Sequence, residues 1–143
     1  MTITEPQTPE EFERYYDLRW RVLRVPWNQP KGSEKDGKEK NAIHLMACEK
    51  DKIPVGVGRV HFNSPEEAQV RYMAVEEGQR GKGTGAIILK ELERRAEQKG
   101  AKIIVLNARN NAVPFYERYC YKIVKQSHTL FGSIPHFEMR KEL

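Results

Sequence analysis

Two cysteines, Cys48 and Cys120, are all that the 143-residue chain contains. They lack the Cys/His spacing of a metal site, and one pair is too few for a disulfide framework. Reduced thiols in the cytoplasm are therefore expected, and no metal site. No apolar run approaches the roughly 18 residues of a membrane helix, so no membrane partner is expected. The opening MTITEPQTPEEF has no basic segment followed by an apolar one, which argues against a secretory signal. Internal repeats and low-complexity tracts are also missing, which sets solenoids and fibrous chains aside. This length predicts a single domain, residues 1–143, with room for a three-layer core.

Charge of one sign does not dominate. The net charge is +5, from 25 Lys and Arg against 20 Asp and Glu. That balance mildly favours anionic ligands. Basic and acidic residues interleave along the chain, as on a solvated surface, so no nucleic-acid partner is expected.

One stretch organises the rest, Val70 to Ala96. Val70–Val75 is β-branched and aromatic and predicts a strand. Glu76 to Gln79 is a polar break. Arg80, Gly81, Lys82, Gly83, Thr84 and Gly85 follow. Ile88, Leu89, Leu92 and Ala96 then recur at helical spacing, with charged residues between them. The pattern is strand, glycine loop, helix. The first turn of a helix has unpaired N–H groups and a partial positive charge. Glycines admit a ligand close to the backbone, and Arg80 and Lys82 add full charges. The combination suits a phosphate or pyrophosphate. It is neither a P-loop, because Thr84 stands where lysine is required, nor G-x-G-x-x-G, because Gly81, Gly83 and Gly85 alternate.

Along the chain, Ile3–Thr4 predicts a short strand. Thr8, Pro9 and Glu11 form a helix start, and Pro26 ends that helix near Arg24. Its apolar lines run through Phe12, Tyr16, Arg19 and Leu23, with Tyr15, Leu18 and Val22 beside them. Asn28–Asn41 has no apolar residue and reads as a loop, either functional or simply mobile and solvated. Ile43–Glu49, Val55–Phe62 and Val70–Val75 predict an antiparallel meander. Gly56 and Gly58 inside the second of these strands allow close approach of another chain or ligand. The central helix should end at Lys99-Gly100. Lys102–Leu106 then reads as a buried strand parallel to Val70–Val75. Asn110 and Asn111 can cap a short helix, Ala112–Tyr119, with Pro114 in its first turn. Strands near Tyr121–Gln126 and His136–Lys141 close the chain.

The Arg-x-x-Gly-x-Gly of Arg80, Gly83 and Gly85, set between strand and helix, resembles the GNAT superfamily of N-acetyltransferases. Ala112, Phe115, Tyr116, Glu117 and Arg118 match a second pattern of that superfamily. Cys120-Tyr121 departs from the Gly-Phe that usually follows. SIPHFEM at Ser133–Met139 and LRWRVLR at Leu18–Arg24 are similar to small bacterial members of the ElaA and YjcF type.

The resemblance implies an α/β fold. Its mixed central sheet has about six to seven strands, with an N-terminal antiparallel meander, a splayed parallel pair after the central helix, and helices on both faces. It implies acetyl-CoA as co-substrate and a primary amine, here expected on a small molecule, as acceptor. It assigns the pantetheine arm to the backbone of Met73, Ala74 and Val75. The pyrophosphate falls to Arg80, Gly81, Lys82, Gly83, Thr84, Gly85 and Ala86. Asn107, Ala112 and Phe115 lie along the rest of coenzyme A. Tyr116 is the expected acid for the leaving thiolate, since a phenol of pKa about 10 stays protonated at neutral pH.

No general base stands out. Gln69 occupies the place where some members carry glutamate, which leaves His61, His136 or a water chain. Trp20, Trp27, the Asn28–Asn41 loop and Phe131–His136 are expected to border the acceptor. The acceptor itself, among polyamines, amino acids, aminoglycosides and protein lysines, stays open, as does a homodimer. Two other readings remain. One is a silent acyl-CoA binder. The other is an RNA module using Gly78–Gly81 as a GXXG loop, although such a loop lies between helices and here a strand precedes it.

Overall fold

The computed structural model describes residues 1–143. Ten main elements follow in order. They are β1 (Thr2–Thr4), α1 (Pro9–Leu23), β2 (Ile43–Cys48), β3 (Pro54–Phe62), β4 (Glu67–Val75), α2 (Thr84–Gln98), β5 (Ile103–Arg109), α3 (Val113–Arg118), β6 (Lys122–Leu130) and β7 (Ile134–Glu142). The strands form one seven-stranded sheet in the order β1-β2-β3-β4-β5-β7-β6. Every pairing is antiparallel except β4 with β5. This is the mixed sheet the resemblance implied.

Helices cover both faces. Ile88, Leu89, Leu92 and Ala96 of α2 and Val113 and Tyr116 of α3 pack with Leu45, Val60, Val70 and Ile104 in the larger core. Gly56 and Gly58 of β3 make that packing possible. A Cβ on Gly58 would lie 2.8 Å from Ile88 and 2.7 Å from the Met73 sulfur. The close approach foreseen for these glycines is thus to the central helix. On the opposite face α1 builds a smaller core, with Tyr15 and Leu18 against Met46, Val57 and Ala74. That face also buries Arg19, Arg59, His44 and His61, so its interior is partly polar.

Local chemistry sets the element ends. Thr8 caps α1 by accepting from the Glu11 amide, and Pro9 occupies the first turn. The Glu11 carboxylate reaches back to the Gln7 amide at 2.8 Å, one residue before the cap. The short helix α3 differs from expectation. Asn110–Ala112 form a 3-10 turn, and the cap is Ala112, without a side-chain hydrogen bond. The closing strands are longer than expected, because β6 and β7 pair from Lys122↔Arg140 to Leu130↔Ile134.

α3 ends in a Schellman arrangement. The Tyr121 amide donates to the Tyr116 carbonyl at 3.1 Å and the Cys120 amide to Glu117 at 3.2 Å. Cys120 therefore sits at φ 74, a left-handed conformation that glycine adopts without strain. Its side chain is exposed. Cys120→Gly should raise stability by about 1 kcal/mol, or roughly 3 °C in melting temperature. A thermal melt that falls or stays unchanged would refute the assignment of strain here.

Candidate active site

β4 and β5 run together for only three pairs, Glu67↔Ile103, Ala68↔Ile104 and Gln69↔Val105. Beyond Gln69, β4 stays with β3 as far as Val75↔Gly56, whereas β5 stays with β7 as far as Arg109↔His136. The two strands part. The β5-facing edge of β4 from Val70 to Val75 has no strand partner, and an open backbone edge inside a sheet invites an extended ligand.

A bulge re-aims that edge. Val57 pairs with Ala74 but Arg59 with Arg71, so β4 holds one extra residue there. Tyr72 takes the strain, at φ 60. Val70 packs on the α2 side and Ala74 on the α1 side, although alternation would put both on one face. Tyr72 is turned to the α1 side and buried.

The glycine loop closes the end of the cleft. Gly81 and Gly83 have φ 81 and 82, and a Cβ at either would meet nothing within 4 Å. Gly83 is the N-cap of α2 and supplies no side-chain cap, and the first turn has no acidic residue. The amides of Thr84, Gly85 and Ala86 are thus left for an anion. Arg80 and Lys82 are exposed beside them, and Arg80 Nε makes a long 3.4 Å contact to the Val75 carbonyl. Phe115 of α3 roofs the loop, since a Cβ on Gly85 would lie 3.5 Å from its ring. Ala112 sits in the turn before α3.

Tyr116 follows Phe115, and the two rings meet edge to face at 5.0 Å. Its ring is buried. Burial pushes its pKa up to about 12, against the opposing charge of Arg109, and no hydrogen bond contributes. The neighbouring tyrosine is different: Tyr121 donates to Glu93 at 2.7 Å and is structurally committed. Asn107 is separated from Tyr116 by the sheet. Leu106 and Ala108 point to the α2 side, so alternation places the exposed Asn107 on the α1 side.

The model of the acetyltransferase (GNAT) domain matches residues 27–143. The uncharacterized N-acetyltransferase YjcF of Bacillus subtilis (strain 168) is 32% identical over 133 residues, covering 93% of this chain and 94% of that protein. The chain belongs to the GNAT acetyltransferase family. Two solved structures agree with that fold. Escherichia coli ElaA superposes with a TM-score of 0.83 at 19% identity, over 99% of this chain and 97% of its own. An aminoglycoside 6'-N-acetyltransferase in complex with coenzyme A gives 0.81 at 19% identity, with coverages of 99% and 97%. The resemblance to the ElaA and YjcF type is therefore borne out. GNAT enzymes move acetyl groups from acetyl-CoA to amines, and the strand-loop-helix unit described above lies within the matched domain.

On the other side of the GNAT cleft, Arg24 joins aromatic residues that the sequence already groups. Arg24 closes α1 and lies 5.6 Å from the Phe131 ring, and Phe131 lies 6.3 Å from Trp27. This brings the end of α1 and the β6–β7 turn together, as expected. Trp20 is not with them: its indole donates to the Gln29 carbonyl at 3.1 Å and anchors the loop instead.

The 28–41 loop is held by ions. Asp36 and Glu39 bind Arg59 at 2.6 and 2.7 Å, Arg19 pairs with Glu39 at 3.0 Å, and Arg71 pairs with Asp36 at 2.6 Å. His44 Nε2 is 2.7 Å from the Glu39 carbonyl, and its Nδ1 is 2.8 Å from the Tyr15 hydroxyl. A neutral ring donating to the carbonyl and accepting from the phenol satisfies both, in keeping with the pKa that burial lowers. No helix is long and apolar enough to cross a membrane.

Proposed function

We propose that the chain transfers the acetyl group of acetyl-CoA to the primary amine of a small-molecule acceptor, by direct attack in a ternary complex. One observation carries this reading: the uncapped start of α2, with its two left-handed glycines, lies beside the open edge of β4. The backbone of Met73, Ala74 and Val75 would pair with the pantetheine arm as a strand would. The amides from Gly81 to Ala86 would hold the pyrophosphate, with Arg80 and Lys82 adding charge. Phe115 and Ala112 flank the same arm, and Asn107 reaches the cleft from the other face. When bound, acetyl-CoA supplies an activated acetyl thioester whose sulfur leaves as a thiolate.

The residues around it then position and protect. The cleft holds the amine beside the carbonyl carbon. The Tyr116 O–H has no protein partner and, unlike the ring that carries it, is not sealed from the surface, so it is the donor available to the departing sulfur. His136 is the better placed of the two candidate bases. Its Nδ1 is engaged by the Ile134 carbonyl at 2.9 Å, and burial lowers its pKa, which leaves a neutral Nε2 able to accept a proton. The Nδ1 of His61 instead accepts from Arg59 at 2.9 Å. Both free thiols, Cys48 and Cys120, suit a reducing compartment such as the cytoplasm.

Calorimetry with coenzyme A, followed by thiol release from acetyl-CoA across an amine panel, tests the reading. Gly83→Val, forced into a left-handed conformation where the pyrophosphate would sit, should weaken coenzyme A binding by roughly tenfold or more. Unaltered affinity in that variant would move the binding site elsewhere. A second reading, a silent acyl-CoA binder, is favoured by Gln69, whose carboxamide accepts from Asn63 at 3.1 Å where a base would be useful. Coenzyme A binding without thiol release for any amine would select it.

A further inference from the structure

The acceptor side of the cleft carries positive charge that no protein carboxylate neutralises. Arg24 is 8% exposed. Its Nε donates to the Ser33 carbonyl at 2.9 Å and its Nη1 to the Leu23 carbonyl at 3.2 Å, so only neutral oxygens receive it. Burial lowers its pKa, the Tyr72 phenol beside it works the other way, and the cations Arg71 and Arg109 lower it further. Arg109 is half-buried at the end of β5 and is in the same position. Burial and the charge of Arg80 lower its pKa, and no carboxylate offsets them.

A buried guanidinium without a counter-ion is costly, and chains keep one where a ligand completes it. The acids of the 28–41 loop are already taken. Asp36 and Glu39 are shared among Arg19, Arg59 and Arg71. The carboxylate of Glu34 turns into its own loop and accepts from the Gly32 amide at 2.7 Å. Glu138, opposite Asn107 on β7, is an acid that no ion pair occupies, but it faces the two guanidinium groups of Arg24 and Arg109. Trp27 and Phe131 form an apolar wall beside Arg24. Arg109 stands opposite His136 in the β5–β7 register.

We propose that the acceptor is an amine that also bears a carboxylate, as a free amino acid does, with Arg24 as the fork that holds the carboxylate and Arg109 as the second cation. The same charges disfavour polyamines and aminoglycosides. The inference rests on the acetyl-transfer reading above for the chemistry, but the anion pocket stands on its own contacts. A guanidinium fork matches a carboxylate in two parallel hydrogen bonds, and a neutral carboxamide cannot reproduce the charge.

The test uses the full chain and matched pairs. Thiol release from acetyl-CoA is measured with the twenty amino acids, their carboxamides, spermidine and kanamycin. At least one acid should exceed its own carboxamide in kcat/KM by roughly 10- to 100-fold, and spermidine and kanamycin should trail it. In R24Q that ratio should fall to within about threefold of unity, and R24K, which keeps charge without the fork, should fall between. Equal rates for acid and amide, or preference for spermidine or kanamycin, would overturn the inference and leave acetyl transfer intact. If no amine draws thiol, the transfer reading fails, and calorimetry on the protein with coenzyme A decides the pocket. An N-acetylamino acid that binds more tightly than its carboxamide, with the difference lost in R24Q, sustains it. Equal binding of acid and amide across the twenty pairs defeats it.

Discussion

Replacing Tyr116 by phenylalanine should lower kcat roughly 10- to 100-fold while changing the Kd for coenzyme A by less than about threefold. The size follows from the environment of the phenol. Burial holds its pKa near about 12. A thiol has a pKa near about 8.5, so outright proton transfer to the departing thiolate would run uphill by roughly 5 kcal/mol. The O–H therefore acts mainly by donating a hydrogen bond to the sulfur as negative charge gathers there. A hydrogen bond to a charged group is worth about 1.5–3 kcal/mol, which sets the expected loss. The ring stays in place in the variant, because its packing against Phe115 and Tyr121 does not use the hydroxyl. Single-turnover acetyl transfer and a coenzyme A titration on the same preparation separate the two quantities. Turnover within twofold of the parent would take the role from Tyr116.

Much of this site is legible from spacing because its physics is local. The loop from Arg80 to Gly85 announces itself through glycines, which alone take φ 81 and 82 without strain. The strand before it and the helix after it follow from hydrophobic period alone. Cys120 at a helix C-terminus reads as strain from its residue type, and its φ of 74 agrees. Other features are set by contacts between distant segments. Nothing near Asn110 says that it will enter a 3-10 turn rather than cap α3. The bulge at Tyr72 is invisible in the sequence, since an extra residue in a strand shows only against its partner's register.

The ion cluster under α1 was missed for the same reason, although a signal existed. Arg19 falls on the apolar line with Phe12, Tyr16 and Leu23, and Arg59 alternates in phase with Val57 and His61. A cation at a core-facing position demands an anion from elsewhere. The longest acid-bearing stretch without an apolar residue is the loop that supplies Asp36 and Glu39. Reading the arginine positions and that loop together would have predicted the contact.

Arg59→Met should therefore cost about 3–5 kcal/mol and lower the melting temperature by roughly 10 °C. Arg59 is fully buried and donates to both oxygens of Asp36, to Glu39 and to His61. Burial by itself would raise the Asp36 pKa, yet hydrogen bonds from Arg59 and the charges of Arg59 and Arg71 hold it well below the usual carboxylate range. Removing the guanidinium leaves Asp36 and Glu39 half-buried with too few donors. Arg59→Met combined with Asp36→Asn should recover at least about 1 kcal/mol of that loss, because the uncompensated charge is gone. The loop has no apolar side chain to dock it, so releasing the ions should release the segment. Trypsin should then cut Arg59→Met faster at Lys35 and Lys38, and the acceptor KM should rise while coenzyme A affinity stays unchanged, since the pyrophosphate loop lies on the far side of β4. A variant that melts within about 2 °C of the parent and resists trypsin equally would show that the loop's neutral contacts, such as Trp20 to the Gln29 carbonyl, suffice to hold it. Arg24 would then have to keep its place against Ser33 without help from the cluster beneath it.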